Sequence, residues 1–229
     1  MKRTYNRINE NHNMDLHTDG YQIYKNVINV PIPIYHNIIR QTNKKEKPIF
    51  NHHETRSRND YKRKQCNLSI KNKQIEEFIT NINNFLTTNV NSNLSISQWV
   101  ILHSLSGCGD QAAHCDYVPS TDMLQVSDDQ IPLAVIVALM PSTKIHIWPQ
   151  SCYKNKRNKK MKIEKLTLEL EPGDVFVFRG DLVHAGCAYE NDNYRLHTYM
   201  DSLLVSRTHN RTWLIDKHAD DNMRKMIVI

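Results

Sequence analysis

One strand restricts the fold of this chain more than any other stretch. Leu133-Ala134-Val135-Ile136-Val137-Ala138-Leu139 is apolar at every position. Successive side chains of a strand point to opposite faces, so both faces of this one must be covered. Around it lie further short strands. Gln98–Leu105 is rich in β-formers, Lys144–Trp148 closes at Pro149, and Lys165–Leu170 alternates strictly between polar and apolar residues. Glu171-Pro172-Gly173-Asp174 turns the chain into Val175–Phe178, Arg179-Gly180-Asp181 turns it again, and two more strands span Leu182–Ala188 and Tyr194–Leu204. Many short strands separated by turns, with one firm helix ahead of them, predict a mainly β domain built as a jelly roll or related barrel.

The helix is marked by Ile75, Phe78, Ile79, Ile82, Phe85 and Leu86, six apolar side chains at helical spacing. Tyr21–Ile28 alternates like a half-buried strand, Pro31 and Pro33 interrupt it, and Ile34–Ile39 reads as a second helix. The resulting organisation is a polar, Asn-rich mobile tail over 1–18, a single domain over 19–206 and an extension over 207–229. Within the domain, 19–91 is expected to give helical support on the outside of the barrel, and 92–206 the core. The extension ends in Met226-Ile227-Val228-Ile229, which either adds an edge strand or frays.

Charge is unevenly spread. Between Gln41 and Lys73 there are ten Lys or Arg against Glu46, Glu54 and Asp60, an excess larger than the whole chain's net charge of +6. This stretch, 41–73, reads as an exposed basic insertion, and 154–165 as a second basic loop at a hairpin tip. Together they suggest an anionic partner, nucleic acid or an acidic protein segment, although a solvated basic surface explains them equally. The longest apolar run, Ile131–Met140, is too short to cross a membrane, which takes about 18 residues or more. Five cysteines, odd in number and irregularly spaced, with no apolar signal region behind the basic N-terminus, indicate reduced thiols and an intracellular protein.

Chemistry enters with Gly107-Cys108-Gly109-Asp110-Gln111-Ala112-Ala113-His114-Cys115-Asp116-Tyr117. A His-x-Asp pair joined by one distant histidine is a ligand set for non-haem Fe(II), holding one face of the ion and leaving the other open. The triplet alone is weak evidence, since chance gives about one in a chain of this composition. Three occur: His17-Thr18-Asp19, His114-Cys115-Asp116 and His218-Ala219-Asp220. Only the middle one lies between β-runs. His184 supplies the distant histidine, and Arg195, on the following strand, carries a two-armed guanidinium suited to a carboxylate. Each residue alone also has a plain structural role: His114 and Asp116 as a strand-end ion pair, His184 in the core, Arg195 paired with Glu190 or Asp192. Cys108, Cys115 and Cys187 lack the paired spacing of a zinc knuckle and read as packing thiols. Trp99, His103, His146, Trp148 and Tyr117 are candidates for the cavity wall or for plain core.

At these residues the chain resembles the Fe(II)- and 2-oxoglutarate-dependent oxygenases, most closely their phytanoyl-CoA dioxygenase-like branch. Pro172-Gly173-Asp174 and Asp19-Gly20-Tyr21 extend the resemblance, which covers most of Asp19 to Leu204. It implies a double-stranded β-helix in which His114, Asp116 and His184 bind Fe(II) and form the catalytic centre. It further implies 2-oxoglutarate as cosubstrate, its far carboxylate paired with Arg195, O2 as the oxidant, and hydroxylation of a C–H bond as the usual outcome. Two positions depart from the pattern. His197 stands where many relatives carry Ser or Thr to share the carboxylate; it lies on Arg195's face of the strand and is a candidate cosubstrate contact with an open role. Asp201 stands where AlkB-type nucleic-acid demethylases carry a second arginine, which argues against that branch. Two rival readings are a basic jelly-roll module that binds nucleic acid or protein, with a vestigial or structural metal site, and a cupin-like metal enzyme that does not use 2-oxoglutarate.

Overall fold

Two antiparallel sheets face each other in the computed structural model, which describes residues 14–42, 45–49, 60–117, 121–152, 164–207, 213–215 and 226–228. In chain order the strands are β1 (Tyr21–Tyr24), β2 (Lys47–Pro48), β3 (Arg63–Asn67), β4 (Ser95–Ile96), β5 (Val100–Ser104), β6 (His114–Cys115) and β7 (Leu133–Ala138). They continue with β8 (Thr143–Ile147), β9 (Leu166–Leu170), β10 (Val175–Arg179), β11 (His184–Gly186), β12 (Asn193–Asp201), β13 (Trp213–Ile215) and β14 (Met226–Val228). The larger sheet runs β1-β10-β7-β12-β5-β3-β2, with β4 paired to β12; the smaller runs β14-β13-β6-β11-β8-β9. This is the jelly roll expected from the strand pattern.

The apolar strand β7 sits inside the larger sheet, between β10 and β12. Its two faces serve two cores. Leu133, Val135 and Val137 join Ile101, Val175, Val177 and Leu196 beneath the helices α1 (Ile32–Thr42) and α2 (Lys73–Asn89). Ala134, Ile136 and Ala138 point the other way, toward Ile145, Ile147, Leu168 and Leu170 of the smaller sheet. Helix α2 buries Ile75, Phe78, Ile79, Ile82 and Leu86, as its spacing predicts, and begins at Asn72, whose Oδ1 accepts from the backbone N–H of Gln74 at 2.8 Å and of Ile75 at 3.3 Å.

Three expectations need revision. The basic stretch 41–73 is not simply an exposed insertion, because 63–67 forms β3, paired along its length with β5 inside the larger sheet. The N-terminal part therefore contributes strands β1 and β3 as well as outer helices. The last described residues of the expected tail also pack, Leu16 on the helical core and Met14 on the core between the sheets. Residues 1–13, most of the second basic loop and most of the C-terminal extension lie outside the described residues; Met226–Val228 forms an edge strand on β13. Among the described residues no helix is long and apolar enough to cross a membrane. All five cysteines are buried free thiols.

The turn between β9 and β10 shows why particular residues are needed. Asp174 accepts from the Asn26 N–H at 2.8 Å and from Lys25 Nζ at 2.7 Å, tying the turn to the end of β1. Gly173 has φ +88°, and a Cβ there would lie 2.1 Å from the Ile28 carbonyl oxygen. Gly173→Ala is expected to cost about 1–3 kcal/mol of stability, from left-handed backbone and steric clash together. A lowered urea midpoint would show it; an unchanged one would mean that the turn relaxes at no cost.

Candidate metal centre

Pairing of β6 with β11 sets His114 directly opposite His184, their ring centroids 4.3 Å apart. Asp116 follows two residues after His114 and is anchored by its backbone N–H, which donates to the Gly180 carbonyl at 3.1 Å. Its Oδ1 lies 3.7 Å from His184 Nε2. One ligand atom from each of His114, Asp116 and His184 lies within 4.8 Å of the others, and all three residues are buried. This is the one such group of three potential ligands among the described residues. Cys108, Cys115 and Cys187 do not join it.

The second nitrogen of each imidazole is committed to backbone. His114 Nδ1 lies 2.8 Å from the Ala112 carbonyl oxygen and His184 Nδ1 3.0 Å from that of Leu182. A carbonyl only accepts, so Nδ1 carries the proton in both rings, and Nε2 carries the lone pair a metal needs. Burial pushes the His114 pKa down to about 4, helped by the neighbouring His184, and burial also pushes His184 down to about 4. Both rings are thus neutral at pH 7, the form in which imidazole ligates.

The arginine comes from the opposite sheet. Along β12 the inward face reads Asn193, Arg195, His197, Tyr199 and Asp201, while Leu196 and Met200 face the helices. Arg195, His197 and Tyr199 line a cavity of about 90 Å³ together with His114, Asp116 and His184; Leu102, Ile136 and Phe178 give it apolar walls. Neither Glu190 nor Asp192 takes Arg195. Its Nη1 donates to Ser104 Oγ at 3.0 Å, and its Nε and Nη2 make no hydrogen bond among the described residues. Asp192 instead accepts from the Ser106 N–H at 2.8 Å and meets His103.

His197 is buried, its pKa lowered chiefly by burial, with Nδ1 2.9 Å from the Val135 carbonyl oxygen. Tyr199 packs edge-on to His197, under the Arg207 guanidinium 3.9 Å from its ring centre. Burial, and then the charge of Asp116, raise the Tyr199 hydroxyl well above its ordinary range. Asp201 accepts from Ser97 and Tyr117; burial works against its charge, but those bonds and Arg207 hold its pKa below the usual carboxylate value. Tyr117 therefore supports Asp201 and packs with Met123, Ile131 and Val205. Of the other cavity candidates, Trp99 is core and donates to Asn83 Oδ1 at 3.0 Å, His103 stacks on Tyr194, and His146 bonds Thr167 Oγ1 at 2.8 Å.

The basic run Tyr61-Lys62-Arg63-Lys64 is also spoken for. Lys62 Nζ donates to the carbonyls of Ser106 at 2.9 Å and Gly107 at 3.2 Å, Lys64 lies 3.6 Å from Glu46, and Arg63 is fully buried. Arg63 is therefore withdrawn from the surface, while Lys62 and Lys64 stay half-buried. Sequence reasoning passed over Tyr199 and Ser104, and read Arg63 only as one charge of an exposed basic run. Alternation from Arg195 could have found the first.

No protein-family model and no curated protein matches the sequence. Solved structures do match. The epimerase SnoN, determined in complex with Fe3+, alpha ketoglutarate and nogalamycin RO, has a TM-score of 0.59 at 14% identity, covering 93% of this chain and 92% of its own. The non-heme alpha ketoglutarate dependent carbocyclase SnoK gives 0.59 at 12% identity, over 87% of this chain and 83% of its own. This chain has the fold of the non-heme alpha ketoglutarate dependent enzymes. A prolyl-4-hydroxylase from Pseudomonas putida shares that fold, with a TM-score of 0.56 at 10% identity over 82% of this chain and 95% of its own. These matches support the fold, and the narrower phytanoyl-CoA dioxygenase-like assignment gains nothing from them.

Proposed function

We propose that the chain is an Fe(II)- and 2-oxoglutarate-dependent dioxygenase that oxidises a C–H bond of its substrate, with hydroxylation as the outcome. One observation carries this reading: the His114, Asp116 and His184 ligand atoms converge within 4.8 Å on a cavity whose far wall holds Arg195, two of whose nitrogens have no partner among the described residues. Two neutral imidazoles and one carboxylate suit a divalent iron and leave further positions for ligands. Fe(II) held there would couple oxidative decarboxylation of 2-oxoglutarate by O2 to oxidation of the substrate.

The protein's own residues supply placement. His114 and His184 are oriented by their backbone acceptors, and Arg195, with one arm on Ser104, can direct its remaining N–H groups at a carboxylate. His197 fits that task poorly. Its Nδ1 proton is given to Val135 and burial keeps the ring neutral, so Nε2 accepts and has no proton for a carboxylate. We assign His197 an acceptor role in the cavity, beside Arg195. The rival reading of a basic binding module loses Arg63, which is buried within the protein.

The test is an anaerobic titration with Fe(II) and then 2-oxoglutarate, followed by the visible metal-to-ligand charge-transfer band. The parent should develop the band. Arg195→Ala should require roughly 10- to 100-fold more 2-oxoglutarate, as expected for lost hydrogen bonds to a charged group. A parent protein that binds Fe(II) and gives no band at millimolar 2-oxoglutarate would overturn the assignment.

A further inference from the structure

Arg63 is buried beside the site and has no part in the function proposed above. Strand β3 places it opposite Ser104 of β5, and its Nη1 donates to Ser104 Oγ at 2.9 Å. Arg195 Nη1 donates to the same oxygen at 3.0 Å. The other end of the Arg63 fork turns to the metal side. Its Nη2 donates to the carbonyls of Gly109 at 2.7 Å, Gly186 at 3.2 Å and Cys187 at 2.7 Å. Gly109 lies in the loop entering His114, and Gly186 and Cys187 lie at the end of the strand that carries His184. A Cβ at Gly186 would fall 2.6 Å from Arg63 Nη1, so the absence of a side chain there lets the guanidinium in.

One planar group thus touches the segment before the first metal ligand, the segment after the last, and the hydroxyl that holds Arg195. We propose that Arg63 and Ser104 are positioning residues that fix the span between the metal ligands and Arg195, and so select a 2-oxo acid carrying a second carboxylate at that distance. The inference rests on the functional reading above and adds to it the means by which the cosubstrate's length is read.

The physical argument is preorganisation. A ligand gripped at both ends gains affinity from the second grip only if the two grips are already the right distance apart. Ser104 Oγ has two lone pairs, and the two guanidiniums use both. Ser104 is fully buried and packed within β5, so it cannot follow a wandering side chain. It is also the sole hydrogen-bond partner of Arg195 among the described residues. Without it the long Arg195 side chain regains rotamer freedom, and the carboxylate must restrain it on binding.

The full-length protein, loaded with Fe(II) under anaerobic conditions, tests this with two acids. One is 2-oxoglutarate; the other is 2-oxobutyrate, which has the same chelating end and no second carboxylate. Ser104→Ala should weaken 2-oxoglutarate roughly 10-fold, the effect of one lost hydrogen bond to a charged group. It should leave 2-oxobutyrate and Fe(II) affinity unchanged, and Ser104→Thr should restore most of the loss. Arg63→Lys, which keeps the charge but loses the fork, should show the same selective weakening; if it fails to fold, Ser104→Ala still decides. Equal losses for both acids, or no loss for 2-oxoglutarate in Ser104→Ala, would overturn the proposal. A parent protein giving no band with either acid would instead refute the reading of the site itself, and this inference with it.

Discussion

His184→Ala is expected to abolish Fe(II) retention, and with it the charge-transfer band and all turnover. Replacing an outer partner of a metal ligand typically costs about 10- to 100-fold in affinity, and removing a ligand should exceed that range. No other His, Cys, Asp or Glu among the described residues completes a group of three with His114 and Asp116. Equilibrium dialysis with Fe(II), or with Co(II) as an air-stable substitute, measures the loss. Retention within threefold of the parent would mean that the ion sits elsewhere. The same substitution has a signature in the metal-free protein. His114 and His184 both fall from an ordinary 6.5 to about 4 in the fold, each chiefly through burial. The unfolded chain therefore binds more protons between those values. Stability from these groups is complete above about pH 6.5 and declines as pH falls toward 4. His184→Ala removes one of the two contributions, so its urea midpoint should fall less between pH 7 and pH 5 than that of the parent.

Asp181→Ala should be the most destabilising of the substitutions considered. Arg179 and Asp181 form a two-pronged pair, Nε to Oδ1 at 2.9 Å and Nη2 to Oδ2 at 3.1 Å, with Arg179 2% and Asp181 1% exposed. Breaking such a buried pair from one side costs about 3–5 kcal/mol, because the remaining guanidinium is held away from water. Against a typical total of about 5–15 kcal/mol, that is a large share. Replacing both residues by apolar ones of similar volume should be much milder, since the desolvation of both charges is removed together. Urea melts of the single and double variants at neutral pH make the comparison, and a single variant within 1 kcal/mol of the parent would sink the idea. The pair also shapes the turn from β10 to β11, so surviving Asp181→Ala protein should bind iron more weakly than the parent.

Much of this could be read from residues whose spacing is itself the signal. The doubly apolar β7 called for cover on both faces and has it from the helices and the smaller sheet. The α2 stripe and the Pro172-Gly173-Asp174 turn were legible for the same reason, since period and turn chemistry are local properties. That His114, Asp116 and His184 would meet could be anticipated, because few residue types suit a metal and the order of strands limits which can come together. What stayed hidden depends on distant pairing. Arg63 is one of four residues in a run that looks uniformly solvated, and only the pairing of β3 with β5 sends it inward while its neighbours stay near the surface. Ser104 carries no signal of its own, because its role comes from two guanidiniums brought to it by other strands. Tyr199 was available by counting two residues beyond His197, but a tyrosine on a strand is ordinary core until its neighbours are known.

The direct pairing of His114 with His184 also bears on when, after synthesis, the proposed metal site comes together. A ribosome releases His114 and Asp116 well before His184, and Arg195 later still, so the early segment holds only part of a site. The contact that completes it joins segments far apart in the chain, and such contacts form late because a long loop must close first. Iron acquisition should therefore follow folding rather than guide it, and a truncated chain ending before β11 should emerge without the means to hold the metal at all.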